Sequence, residues 1–128
     1  MVVDPSALAA VLFGEPRGVD VAARLAEGDA VLGAPSRVEI GMVIEARGGS
    51  DGVRQLDSLL RAAKIDTVAF EPHHADMALE AFRRFGKGRH RAALNFGDCM
   101  SYAIARSMNA PLLFVGDDFT HTDIVGVL

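Results

Sequence analysis

Short apolar runs alternate along the chain with longer segments in which apolar residues recur every three or four positions. The short runs are rich in β-branched residues and leucine, which favours strands, while the longer segments have the period of helices packed by one face. The pattern predicts four strands, near Met1–Val3, Ala30–Ala34, Thr67–Phe70 and Pro111–Val115. It also predicts six helices, near Ser6–Phe13, Arg17–Ala26, Arg37–Ala46, Gly52–Ala63, Pro72–Phe85 and Asp98–Met108.

This alternation of strands and helices is typical of an α/β fold with a mainly parallel sheet between layers of helices. A chain of 128 residues has the usual size of one domain, so we expect a single domain over residues 1–128. The glycine-rich segment Gly48–Gly52 predicts a short exposed connection between two helices. It is too short to link two domains.

Composition and charge narrow the class of protein. The chain is 50% hydrophobic and 23% charged, as globular proteins are, and no apolar run reaches the ~18 residues of a membrane span. The N-terminus lacks the basic and apolar regions of a secretory signal, and the single cysteine, Cys99, fits a reducing compartment, so we expect a cytosolic protein. The net charge of −4 argues against a uniformly basic nucleic-acid binder, but residues 83–91 form a local basic patch.

Acidic residues recur where a predicted strand or loop leads into a helix, or where a strand ends. They are Asp4, Glu39, Asp98 and the pair Asp117/Asp118. In an open α/β sheet, residues at the carboxyl ends of the strands face one crevice. We therefore expect these acids to converge although they are far apart in sequence.

Each acid also has a structural explanation that requires no function. Asp4 before Pro5 fits a helix N-cap, Ser36 and Glu39 have the spacing of a capping box, and Asp98 is favoured near the positive end of a helix dipole. As a set, however, packed carboxylates repel each other unless a cation lies between them. Oxygen ligands select a hard metal, so the set predicts a Mg²⁺ or Mn²⁺ site.

Such a site is suited to phosphodiester hydrolysis by metal-activated water. The glycine-rich basic loop before the last helix, with Lys87, Arg89 and Arg91, would hold a nucleic-acid backbone beside the acidic site. A solvated charged loop is the simpler interpretation of the same residues.

Three other classes of protein, and a binding module of the same fold, fit parts of the sequence. A Cys–His hydrolase could use Cys99, but it leaves the recurrence of acids unexplained. An aspartate-nucleophile phosphatase needs a second Asp where Ser6 stands, and a phosphotransfer receiver needs an acidic pair at the first strand. A catalytically weak module of the same fold that binds RNA or protein remains the alternative to a nuclease.

Four segments carry a resemblance to a known family: MVVDPSALAAVL, PSRVEIGMVIEAR, GKGRHRAALNFGDCMSYAIA and PLLFVGDDFTHTDI. In this order they resemble a PIN-domain ribonuclease toxin of the VapC type over nearly the whole chain. The resemblance implies a three-layer α/β/α sandwich, Mg²⁺- or Mn²⁺-dependent endoribonuclease activity, a VapB-like antitoxin as partner, and a homodimer.

Carried over by residue, the resemblance assigns Asp4, Glu39 and Asp98 to the family's core acids. The fourth falls at Asp117 or Asp118, and we expect Asp117 to be the nearer ligand and Asp118 a supporting one. Polar residues that would orient the acids are Ser6, Asn95 and Thr122. One departure is that Pro5 stands where the family usually has Thr, which removes a hydroxyl and a backbone donor beside Asp4.

Overall fold

Four short parallel strands form the sheet at the centre of the computed structural model, which describes residues 1–128. The strands are β1 (Val2–Val3), β2 (Val31–Gly33), β3 (Asp66–Val68) and β4 (Leu112–Leu113), in the order β3-β2-β1-β4. In the register, Val2 is paired with both Val31 and Leu112. Strand β1 is therefore central, with neighbours on both edges.

Helices cover both faces of this sheet. They are α1 (Pro5–Leu12), α2 (Gly18–Ala26), α3 (Ala34–Ala62), α4 (Pro72–Phe85) and α5 (Phe96–Ser107). Successive strand residues point to opposite faces, so Val2 packs in a core with α4 and α5 while Val3 packs in a second core with α1, α2 and α3. The predicted three-layer α/β/α sandwich is confirmed.

Proline and capping side chains fix where two of these helices begin. Asp4 is the N-cap of α1, with Pro5 in its first turn, as the sequence predicted. Helix α4 starts at Pro72 after a capping box between Glu71 and His74. Pro5 and Pro72 therefore lie in the first turn of their helices. A backbone N–H there has no acceptor within the helix, so proline, which lacks the N–H, loses no hydrogen bond.

The glycine-rich segment separates two helices, as predicted, but with a shorter break. Helical structure runs from Ala34 to Ala62 and is interrupted within the predicted Gly48–Gly52 connection at one residue, Gly49. Gly49 has φ 59° and ψ −154°, a conformation open almost only to glycine. The break between the two helices thus needs one glycine, whereas the sequence predicted a connection of five residues.

The topology places the predicted acids at one end of the sheet. Asp4 directly follows β1, and its backbone N–H donates to the carbonyl of Leu113 at the end of β4, with N and O 2.9 Å apart. Helix α5 reaches the same end of the sheet, because its residue Ser101 donates a hydrogen bond to Asp4 at 2.6 Å. None of the helices is both long and apolar enough to cross a membrane.

Replacing Gly49 by Ala should destabilise the protein through the backbone alone. A Cβ at this position would meet no atom within 4 Å, so the penalty comes from the positive φ and should be about 1–3 kcal/mol. Gly48→Ala is the matched control, since Gly48 has no positive φ and its Cβ would also lie in open space. In urea unfolding, the free energy of unfolding should fall for Gly49→Ala. For Gly48→Ala it should stay unchanged or rise by less than ~1 kcal/mol.

Candidate active site

Asp4 is a buried carboxylate held by donors on two helices. Its side chain is 5% exposed. One oxygen accepts a hydrogen bond from Ser101 Oγ at 2.6 Å, and the other accepts from the backbone N–H of Ser6 at 3.0 Å. Burial nevertheless raises the pKa of Asp4, because these hydrogen bonds only partly offset the loss of hydration.

Asp98 lies at the third position of α5 and forms a reciprocal capping box with Asn95. The Asp98 N–H donates to Asn95 Oδ1 at 2.8 Å, and the Asn95 N–H donates to Asp98 Oδ2 at 3.0 Å. Burial, and then the charges of Asp118, Asp4 and Glu39, raise the pKa of Asp98 to about 7 against the opposing effect of the Asn95 hydrogen bond. Three other acids are therefore close enough to act on Asp98.

Glu39 has no structural task of the kind that its sequence context suggested. The predicted capping box with Ser36 is wrong, because α3 already begins at Ala34 with Gly33 as its N-cap. Burial first, and then the charge of Asp4, raises the pKa of Glu39. The Glu39 carboxylate also lies against Gly97 of α5, where an added methyl group would collide with it.

The fourth acid of the cluster is Asp118. Its charge raises the pKa of both Asp4 and Asp98, whereas Asp117 acts on neither. Asp117 instead turns its backbone carbonyl to Thr120, accepting from Thr120 Oγ1 at 2.7 Å. Asp118, rather than Asp117, therefore acts on the other acids in this structure, and which of the two would be the nearer metal ligand stays a prediction.

Of the three polar residues expected to orient the acids, two contact them. Ser6 donates its N–H to Asp4, and its hydroxyl accepts from the Val115 N–H at 3.1 Å, which ties Asp4 to the end of β4. Asn95 caps α5 beside Asp98 as described. Thr122 forms no hydrogen bond with an acid, because its hydroxyl donates to the Phe119 carbonyl at 2.8 Å within its own turn.

Ser101 is a site residue that the sequence reasoning missed. It is 1% exposed, donates to Asp4, and lies 3.3 Å from the hydroxyl of Ser36, so a chain of hydroxyls reaches from Asp4 to α3. Ser101 follows Asp98 by three residues, and Ser36 precedes Glu39 by three. Residues three apart share a helix face, so this spacing was a signal available in the sequence.

The basic loop expected to bind RNA leads directly into α5. A parallel bridge between Gly86 and Leu94 closes it. Its cationic residues Lys87, Arg89 and Arg91 are exposed and form no ion pair with an acid. In the preceding helix, by contrast, Arg83 is paired with Glu80 and Arg84 with Asp123. The unpaired positive charge of the patch thus lies in the loop that precedes α5 in the chain.

Cysteine chemistry finds no support in the structure. Cys99 is buried and free, and it forms no hydrogen bond with a histidine. Burial, together with the charge of Asp98, raises the pKa of its thiol, which is the opposite of what a nucleophilic thiolate needs. His74 instead accepts a hydrogen bond from the backbone N–H of Glu71, the N-cap of α4, at 2.9 Å.

The chemistry of the clustered side chains fits a hard divalent cation, although they do not form a closed metal shell. No three Asp, Glu, His or Cys side chains are arranged closely enough to hold an ion. The pKa shifts nevertheless link Asp4, Glu39, Asp98 and Asp118 to one another. Like charges repel in a shared crevice, so a cation would be held there only after the carboxylate side chains rotate towards it. Binding would then require side-chain movement but no change of fold.

Comparison with known proteins defines the class to which this fold and site belong. The sequence model of the PIN domain matches residues 1–125. The fold is also similar to the crystal structure of VapC20 from Mycobacterium tuberculosis, a toxin that cleaves the sarcin–ricin loop, with a TM-score of 0.79, 18% identity, and coverage of 98% of this chain and 97% of that one.

Curated relatives narrow the class further. Ribonuclease VapC30 of Mycobacterium tuberculosis is 48% identical over 128 residues, covering 99% of this chain and 98% of the relative. Ribonuclease VapC of Mycolicibacterium smegmatis is 44% identical over 128 residues, with 99% of each covered. The chain belongs to the PIN-domain family and, within it, to the ribonuclease toxins of the VapC type.

The raised pKa of Asp98 predicts how the stability of the metal-free protein depends on pH. The folded state takes up the Asp98 proton near pH 7 and the unfolded chain near pH 3.8, so the folded state binds more protons between these values. The free energy of unfolding should therefore fall as the pH rises from about 4 to about 7. We expect the melting temperature in EDTA to be lower at pH 8 than at pH 5 by on the order of 5 °C.

Asp98→Asn should reduce this pH dependence and leave the protein more stable than the wild type at pH 8. The remaining slope would come from Asp4 and Glu39, whose pKa values are also raised. Asp117→Asn is the control, because Asp117 is exposed and lies outside the cluster. Equal pH slopes for the wild type and Asp98→Asn would contradict the assignment.

Loss of the Ser101 hydroxyl should destabilise the folded state. Ser101→Ala removes a donor from a buried carboxylate, which should cost about 1–3 kcal/mol at pH 7 in urea unfolding. Ser36→Ala is matched in burial but touches only the Ser101 hydroxyl, so its cost should be smaller. A larger effect at Ser36 would show that the hydroxyl chain, rather than the bond to Asp4, matters most.

Proposed function

We propose that this protein is a Mg²⁺- or Mn²⁺-dependent endoribonuclease that acts as the toxin of a toxin–antitoxin pair. The observation that carries the proposal is the mutual influence of Asp4, Glu39, Asp98 and Asp118, which come from four separate parts of the chain. Membership of the VapC type supports RNA as the substrate. Crowding four carboxylates lowers the free energy of unfolding, because like charges repel. A cation that relieves this repulsion would therefore bind more tightly.

Within the cluster, Asp4, Asp98 and Asp118 are our candidates for direct cation ligands, and Glu39 is our candidate for positioning the attacking water. A divalent cation bound there would supply positive charge that activates water and stabilises charge on the phosphodiester. Ser101 and Ser6 hold the Asp4 carboxylate, while Asn95 holds Asp98. These donors fix the two acids before substrate arrives.

The basic loop compensates for the repulsion between an acidic site and a polyanion. Lys87, Arg89 and Arg91 are exposed and unpaired at the start of the segment that leads to Asp98. They would contact the RNA backbone on either side of the bond to be cut. These contacts would weaken as the salt concentration rises. Sequence preference must come from other residues, because phosphate contacts carry no base information.

A VapB-like antitoxin is the partner that we propose. The four carboxylates leave an anionic cleft, and an Arg or Lys side chain of an antitoxin inserted there would exclude both cation and substrate. We also propose a homodimer, which is an expectation from the VapC type.

The test is cleavage of total RNA by the purified, antitoxin-free protein in Mg²⁺ or Mn²⁺ and in EDTA. Wild-type protein should cut RNA only with the metal ion. Asp98→Asn and Asp118→Asn should each lower the rate at least ~100-fold, the scale on which loss of one positioned electrostatic group acts. Asp117→Asn is the matched control at the adjacent position and should stay within a few-fold of the wild type.

Two results would contradict parts of the proposal. Equal losses in Asp117→Asn and Asp118→Asn would show that the loop rearranges when the cation binds, and that the assignment of Asp118 is wrong. Intact RNA from a folded protein that binds Mn²⁺ in calorimetry would favour the alternative, a binding module of the same fold.

A further inference from the structure

His90 lies in the basic loop between α4 and α5 and has no part in the carboxylate site. It is half-buried, whereas the other residues of Lys87–Arg91 are all exposed. Its ring meets the ring of Phe85 edge-on, with the ring centroids 5.2 Å apart and the planes at 87°. Phe85 is a buried core residue at the end of α4, so one side of the imidazole is held against the body of the protein.

The backbone of the basic loop is held by its own hydrogen bonds. The Lys87 N–H donates to the Leu94 carbonyl at 3.0 Å, which joins the two ends of the loop. The Gly86 carbonyl accepts from the N–H groups of Arg89 at 2.9 Å and of His90 at 3.0 Å. The backbone that carries the cations is therefore ordered before a ligand binds, which lowers the entropic cost of binding.

One further hydrogen bond fixes both the loop and the tautomer of His90. The Ala92 N–H donates to His90 Nδ1, with the two nitrogens 3.0 Å apart. Because a ring nitrogen that accepts a hydrogen bond carries no proton, the imidazole is neutral and its single N–H is at Nε2. Nε2 has no hydrogen-bond partner in the protein, and no buried side-chain nitrogen or oxygen lacks one, so the Nε2–H is open to solvent.

The open Nε2–H belongs to a segment whose other polar side chains are cations. Lys87, Arg89 and Arg91 are exposed and form no ion pair. Donors and positive charge in one segment suit an anion, and a hydrogen bond to an ionised acceptor is stronger than one between neutral groups. A metal ligand or a general base would need a free lone pair on the ring, and the only one is taken by the Ala92 N–H.

We propose that His90 is an RNA-binding residue, which donates its Nε2–H to a phosphate oxygen of the substrate while Nδ1 holds the basic loop in shape. The inference rests on the proposed ribonuclease function, because it takes RNA as the anion that the loop binds. It adds a neutral donor of fixed direction to the three cations. Since the contact is to phosphate, it should be independent of the base sequence.

Two amide variants separate the roles of the two ring nitrogens. His90→Asn keeps an acceptor near the position of Nδ1 and loses the Nε2–H, whereas His90→Gln keeps an N–H near Nε2 and loses the Nδ1 acceptor. Hydrogen exchange of the Ala92 amide, followed by NMR, should be as slow in His90→Asn as in the wild type and faster in His90→Gln. This measurement reports on the loop alone.

Affinity for a labelled single-stranded RNA octamer, measured in EDTA at pH 8, reports on the phosphate contact. His90→Asn should bind about 5- to 30-fold more weakly than the wild type although its loop is intact. His90→Gln should lose less affinity than His90→Ala, which lacks both groups. His73→Ala is the control, because His73 is exposed at the opposite end of α4, and it should bind as the wild type does.

Two further titrations identify the group that His90 contacts. An abasic octamer of the same charge should show the same loss in His90→Asn, because the bases take no part. The slope of log affinity against log salt concentration should be unchanged in His90→Asn, since a neutral donor releases no counterion, and should fall by about 0.7 in Arg89→Ala. A loss confined to the octamer with bases, or wild-type affinity in His90→Asn, would overturn the proposal.

Failure of this inference can be told from failure of the proposed function. Wild-type protein that cuts RNA, together with His90→Asn that cuts it with unaltered KM and kcat, would refute the phosphate contact and leave the nuclease intact. A raised KM at unaltered kcat in His90→Asn would support it. Loss of octamer affinity in His90→Asn, in a protein that cuts nothing, would establish the phosphate contact without the nuclease.

Discussion

The burial and crowding of carboxylates at the end of β1 is the constraint on which the site depends. Asp4 is fixed to the sheet by its own backbone and by Ser101, so it cannot move away from the other acids without breaking the bond to α5. Asp98 is fixed in the same way by Asn95. The fold therefore holds these carboxylates together where an unfolded chain would disperse them, and this crowding lowers the free energy of unfolding.

The sandwich was predictable because its signals are local. Apolar runs and helical periods gave the elements, and Asp4 with Pro5 gave the start of α1 correctly. The errors came where tertiary packing overrode a local pattern. Ser36 and Glu39 have capping-box spacing, yet Pro35 lies within a helix that already began at Ala34, and the Ser36 hydroxyl turns to Ser101 instead.

That the acids would lie close enough to act on one another was predictable, but the details of their surroundings were not. Asp4, Glu39 and Asp98 could be placed because their positions follow from strand ends and helix starts. The choice between Asp117 and Asp118 could not, because Gly116 has φ 99° and the direction of the next side chains depends on that turn. Ser101 was hidden for a different reason, since a buried serine on an apolar helix face has no sequence pattern of its own beyond its spacing from Asp98.

Helix α5 presents a different surface on each of its two faces. Asp98 and Ser101 share the face turned to the carboxylate cluster, while Phe96, Cys99 and Met100 line an apolar groove between α4 and α5. Because one helix carries both sets of residues, its backbone fixes the distance between the groove and the acids. A substitution on the groove face can therefore change that surface while the acids stay in place, so the two sets of residues can vary independently of each other.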